Sequence, residues 1–146
     1  MIDIEIEDEA WATVPDVEAR VQAAASAALG DVEGAVVVLL TDDAAVQDLN
    51  ARFRGRDRPT NVLSFPAPET ARPHLGDLVL AHGVCVAEAA EQNKTVADHL
   101  SHLVVHGVLH LRGRDHEDEA EAEAMEAEER TILATLGVAD PYAGDR

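Results

Sequence analysis

The stretch His106-Gly107-Val108-Leu109-His110-Leu111-Arg112-Gly113-Arg114-Asp115-His116 decides how the rest of the chain is read. His106 and His110 stand four residues apart, so on a helix their Cβ atoms lie one above the other on one face. Such a pair grips one metal ion. Gly113 suits a left-handed cap that ends the helix and turns the chain, swinging His116 back toward the pair. Three imidazoles and an open fourth position make a catalytic zinc site. The absence of a thiolate favours zinc, with nickel or another divalent transition metal able to use the same ligands. An open position on such an ion holds water, whose pKa falls from about 15.7 toward about 7, and this points to hydrolysis.

Working back from that stretch, Thr95-Val96-Ala97-Asp98 has the form of a capping box, which predicts a helix from there to Leu111. Its Leu and Val side chains cover most of the wheel, so the helix is expected to be buried. His99, His102, His106 and His110 fall in one narrow sector of it. A lone histidine in such a place is a satisfied polar spot; for the group, each unsatisfied buried nitrogen costs about 1–3 kcal/mol, and one divalent ion takes several at once. His102 is assigned to the cleft or to the surroundings of the ligands. His99, His74 and His82 read as structural. Beyond the turn, Asp118 to Leu136 reads as an acidic helix with Met125, Ile132, Leu133 and Leu136 inward, stopped by Gly137.

Upstream, Ile2, Ile4 and Ile6 alternate with acids in the pattern of a half-buried strand. An Ala/Val-rich helix follows, with Asp16 expected to cap its start and Gly30 to close it. Val36 to Leu40 reads as a strand buried on both faces. Thr41-Asp42-Asp43 offers caps to a helix with an apolar stripe of Val46, Leu49, Asn50 and Phe53. Val62 to Phe65 is a short strand stopped by Pro66 and Pro68, a loop runs to about Leu75, and Gly76 to Ala81 is the next strand, a neighbour of the Val62 strand. Gly83 opens a short helix to about Gln92. The expected fold is α+β over residues 1–146 as one domain: a small mixed sheet covered by helices, the His-bearing helix central and the metal at the floor of a cleft.

The formal net charge of −18 argues against a polyanionic partner until its distribution is considered. Nine of the 29 acids lie between Asp115 and Glu129, where there is no Lys or Arg, whereas Arg52, Arg54, Arg56 and Arg58 alternate through one short segment. The single cysteine, Cys85, lies in an apolar run and reads as a buried hydrophobe, excluding a disulfide framework. No leader pattern opens the chain and no apolar run approaches the ~18 residues of a membrane span. A cytoplasmic, soluble protein is expected.

The HxxxHxxGxxH spacing is shared with metzincin proteases, which place a glutamate directly after the first histidine as general base. Here that position is Gly107, so peptide hydrolysis loses its usual proton acceptor.

The HGxLHLxGxDH stretch resembles the signature of the YbeY family of bacterial ribosomal-RNA maturation factors, metal-dependent single-strand-specific endoribonucleases. Further stretches match: Leu49-Asn50 followed by Arg54-Gly55-Arg56-Asp57-Arg58-Pro59-Thr60-Asn61-Val62-Leu63-Ser64-Phe65-Pro66, then Leu75-Gly76-Asp77-Leu78-Val79, and Asp140-Pro141-Tyr142. The resemblance implies a zincin-like α+β fold, His106, His110 and His116 as ligands of one zinc ion, and Arg54 as the cleft arginine. A guanidinium holds two non-bridging phosphate oxygens as charge builds in phosphodiester hydrolysis. Arg52, Arg56, Arg58 and Arg114 are expected to attract the RNA backbone. Asp115 is expected beside the ligands or holding the turn, and Asp77 in the cleft or at a strand end. One departure is visible: Arg114 stands where the family commonly has tyrosine. With few aromatics, phosphate position and strand shape are expected to be read rather than base sequence.

The resemblance thus implies a nuclease of single-stranded RNA acting in small-subunit ribosomal RNA maturation and ribosome quality control. Its expected partners are the RNA precursor and the small subunit or its assembly proteins, with no membrane and no DNA specificity. Two alternatives stand beside it: a metallohydrolase of peptide or amide bonds, and a non-catalytic ribosome-assembly factor with a structural metal.

Overall fold

The structure is a computed structural model that describes residues 1–114 and 117–142. Four strands, β1 (Ile2–Ile6), β2 (Ala35–Thr41), β3 (Val62–Pro66) and β4 (His74–Ala81), form one sheet in the order β1-β2-β4-β3. The first three in that order run parallel and β3 runs antiparallel to β4, with Leu63 opposite Val79 and Phe65 opposite Asp77. The helices are α1 (Val17–Leu29), α2 (Asp43–Arg54), α3 (His82–Glu91), α4 (Val96–Leu111) and α5 (Glu119–Thr135). The α+β class and mixed sheet agree with the sequence reading. Among the described residues no helix is long and apolar enough to cross a membrane.

Period-two alternation divides the core between the two faces of the sheet. Val36, Val38, Leu40, Leu78 and Leu80 face the large core built with α1 and α4. Val79, Leu63 and Ala81 pack on the other side with Val46 of α2, and Leu39 joins them partly buried. The expectation that β2 is buried on both faces therefore holds on one only: Val37 and Leu39 stay half-exposed under the smaller α2 layer. Phe53 also departs from its expected inward place, at 65% exposed, because α2 ends over the sheet edge, where the ring meets Phe65 5.7 Å away and the Arg52 guanidinium 5.9 Å away.

The helix boundaries follow the capping residues closely. Thr95 accepts from the Asp98 amide at 3.0 Å, Asp42 from Ala45 at 2.8 Å and Asp118 from Glu121 at 2.7 Å. Asp16 is an exception: it takes a left-handed conformation, φ 52°, and its side chain caps nothing. The segment before β4 is less irregular than the Pro-rich sequence suggested, with a 3-10 turn at Glu69–Ala71 and the strand beginning two residues early at His74. Cys85 is buried as expected; burial first, then Glu88 and Asp43, pushes its thiol up to about 12.

One close approach sets the position of α4. A Cβ built on Gly107 meets Leu78 Cδ2 at 2.7 Å, so the helix lies against β4 only because this residue has no side chain. Position 107 faces the sheet, away from the histidine row. The residue that carries a protease's general base here serves packing instead.

Candidate functional site

The histidine row of α4 forms one wall of an open cleft of about 1280 Å³. His106 and His110 meet there with their Nε2 atoms 3.1 Å apart. The other ring nitrogens are held: His106 Nδ1 lies 2.5 Å from Glu129 Oε1, and His110 Nδ1 lies 3.1 Å from the Arg114 carbonyl. A carbonyl only accepts, and so does an ionised carboxylate, so both Nδ1 atoms carry the proton and both Nε2 atoms carry lone pairs in the neutral rings. Two lone pairs at that separation repel unless a cation lies between them. Ligand atoms about 2.0–2.1 Å from a tetrahedral zinc ion are separated by about 3.3 Å, close to the observed gap. The donor chemistry fits a divalent metal.

The third expected ligand, His116, and the neighbouring Asp115 lie outside the described residues. No group of three metal-binding side chains is present among the described residues, which is consistent with two of the expected ligands lying within them. The turn toward His116 is built as its glycine predicts. Gly113 has φ 91°, its amide bonds the His110 carbonyl at 2.9 Å, and the Arg114 amide bonds Leu109 at 3.0 Å. This turn brings the Arg114 carbonyl onto His110.

Glu129 went unrecognised in the sequence. Its exposure is zero, and besides His106 it accepts the Tyr142 hydroxyl on Oε2, with His102 Nε2 3.5 Å from the same oxygen. Burial works to raise this carboxyl, but the hydrogen bonds from His102, His106 and Tyr142 outweigh it and hold the group down at about 2. Tyr142 moves the other way, pushed well above the ordinary phenol value by burial and by the Glu129 carboxylate. A signal was available: Glu129 stands midway between Met125 and Leu133 at helical i, i+4 spacing, on the apolar row of an otherwise solvated helix.

His102 sits between these groups, its Nε2 3.2 Å from the Tyr142 hydroxyl, so it belongs to the surroundings of the histidine pair. His99 binds Glu88 at 2.8 Å and is structural, as expected; burial lowers its pKa against the pull of Glu88. His99 and His102 each leave a buried Nδ1 with no hydrogen-bond partner. His74 pairs with Asp77 at 3.0 Å and His82 meets Trp11 edge-on. Asp77 shares its sheet face with Val79, opposite α4, and does not line the cleft.

Across the cleft stand Arg54, Arg56 and Arg58, all exposed. Arg54 closes α2 and donates Nη2–H to the Ser64 carbonyl at 2.5 Å, its guanidinium carbon 5.6 Å from the Phe65 ring centre. The loop behind it is held by α2: Asn50 donates to the Arg58 carbonyl at 2.9 Å and Gln47 to Asp57 Oδ1 at 3.0 Å. Arg52 points elsewhere, pairing with Asp48 on its own helix at 3.4 Å. Arg114 lines the cleft from the histidine side while bonded to Glu128 at 2.8 Å.

The chain has counterparts among known proteins. The family described as Endoribonuclease YbeY matches residues 3–137. The chain belongs to the YbeY family. Among curated relatives, the Endoribonuclease YbeY of Maricaulis maris is 49% identical over 99% of this chain and 92% of its own length. That of Azorhizobium caulinodans is 52% identical over 97% and 96%. The solution structure of TM1509 from Thermotoga maritima superposes with a TM-score of 0.60 at 28% identity, covering 94% of this chain and 92% of that one. For a YbeY chain the departure at Arg114 costs the site little, because His110 is held by the backbone carbonyl of that residue and not by its side chain.

Proposed function

We propose that this chain is a zinc-dependent endoribonuclease cleaving single-stranded RNA, residues 1–146 acting as one cytoplasmic domain in small-subunit ribosomal RNA maturation and ribosome quality control. RNA as substrate is supported by the activity named for its relatives. The metal is supported by one observation above the rest: two Nε2 atoms converge at 3.1 Å while acceptors hold both Nδ1 atoms.

His106, His110 and His116 are the proposed ligands. Zinc, when bound, supplies Lewis acidity and an easily deprotonated water. The remaining roles belong to the chain. Arg54 offers five N–H donors, of which the Ser64 carbonyl takes one, so its fork receives two non-bridging oxygens of the scissile phosphate and stabilises the charge that grows there. Arg56 and Arg58 hold flanking phosphates. With Tyr142 the only Phe, Tyr or Trp among the described lining residues of the cleft, and its hydroxyl held by Glu129, the site is assigned to phosphate spacing and strand shape, with the small subunit or its assembly proteins presenting the RNA.

The test joins metal analysis of the purified protein to cleavage of a single-stranded RNA by wild type, Arg54→Ala and His110→Ala. Wild type carries zinc and cleaves; His110→Ala loses both; Arg54→Ala keeps the metal and loses cleavage. Equal cleavage by all three, once contaminating nuclease is removed, overturns the mechanism. Peptide hydrolysis that survives Arg54→Ala restores the protease alternative, and ribosome association without nuclease activity restores the assembly factor.

A further inference from the structure

A carboxylate with no exposure is expensive, and its partners reveal what it is kept for. Those of Glu129 are His102, His106 and Tyr142, and all three line the cleft. A carboxylate serving only to join α5 to α4 has no need to choose cleft residues. Glu121 and Glu123 of the same helix are exposed and Glu126 and Glu128 half-buried, so the full burial here reflects position on the apolar row and not the character of the helix.

The two oxygens divide the work. Oε1 takes the Nδ1–H of His106, which leaves the lone pair on Nε2 and fixes the ring plane; without an acceptor there, either nitrogen can hold the proton. Oε2 takes the hydroxyl of Tyr142, which belongs to the segment after α5 that forms one edge of the cleft. We propose that Glu129 is a positioning residue for the metal site, locking His106 in the tautomer that presents Nε2 to the ion and seating Tyr142 with its second oxygen. This rests on His106 and His110 being ligands. His110 receives the equivalent service from the backbone carbonyl of Arg114, while the Glu129 carboxylate makes Nε2 of His106 the more basic for its hydrogen bond.

The experiment uses the full chain at neutral pH with two readouts. Long-range proton–nitrogen correlation spectra of the metal-free protein report which nitrogen of His106 carries the proton, and competition with a chromophoric chelator gives zinc affinity. Glu129→Met fills the space without an acceptor: His106 loses its single tautomer, and zinc affinity falls about 10–100-fold. Glu129→Gln, whose amide oxygen still accepts, keeps the tautomer and loses less affinity, and it carries the test if the Met variant fails to fold. Tyr142→Phe keeps both tautomer and affinity. An unchanged tautomer and affinity in Glu129→Met overturns the proposal, as does a Tyr142→Phe variant as impaired as Glu129→Met, which makes Glu129 a clamp for the terminal segment. Failure of the ligand reading looks different: wild type then binds no zinc at all.

Discussion

The two walls of the cleft are built on opposite principles. The histidine wall lies on a helix buried nearly all round, with the His106 and His110 rings tied through Nδ1 to α5 and to the backbone of the following turn. The arginine wall is exposed side chain on a short loop, and what α2 holds is that loop's carbonyls and Asp57 rather than its guanidiniums. A metal requires nitrogens fixed within fractions of an ångström, whereas a polyanion requires charge that reaches. The walls should therefore fail differently.

Arg54 is the sharpest probe, because it stands on the loose wall yet is given a transition-state role. Arg54→Ala is expected to lower kcat about 10²–10³-fold with metal content and melting temperature unchanged. Arg54→Lys should recover only part of this, since a point charge replaces a fork. Single-turnover cleavage beside thermal melts measures both. A loss confined to KM would move Arg54 to the class of backbone contacts and dissolve the distinction between it and its neighbours.

On the rigid wall the corresponding probe is Gly107. Adding a methyl group places it 2.7 Å from Leu78 Cδ2, and β4 behind that side chain is central in the sheet. Gly107→Ala is expected to cost about 1–3 kcal/mol in denaturant unfolding. Leu78→Val introduced with it should be less than additive, since the smaller side chain admits the methyl. Strict additivity would place the strain elsewhere and loosen the picture of a helix wedged against its strand.

The same contrast explains what could be read in the sequence. The periodicities that place α4 at the centre, the cap at Thr95, the turn at Gly113 and the pairing of β3 with β4 all depend on near neighbours in the chain, and local chemistry dictates them. Glu129 is not legible from charge by run, because in a run of nine acids the one on the apolar row is hidden by those around it. Phe53 lies outside the packed face because a stripe predicts a face but not where the sheet beneath it ends. For Asp77 the motif leaves cleft or strand end open, and alternation from the buried Leu78 puts it on the face opposite the cleft.

The arginine segment itself separates by geometry into residues that face the cleft and one that does not. Arg56 and Arg58 line it, while Arg52 is occupied by Asp48 one turn back and lies outside. Each phosphate contact to a single strand contributes about 0.7 to the slope of log affinity against log salt. Arg56→Ala and Arg58→Ala should each flatten the slope for single-stranded RNA by about that amount and weaken binding several-fold at low salt, leaving any sequence preference as it was. Arg52→Ala should leave the slope alone, because the ion pair it loses is exposed and contributes about 0–1 kcal/mol to stability. Titrations at several salt concentrations measure all three variants against one RNA. Were Arg52→Ala to flatten the slope as much as Arg58→Ala, the strand would have to leave the cleft over the outer face of α2, and the exposed Phe53 would then lie along its path.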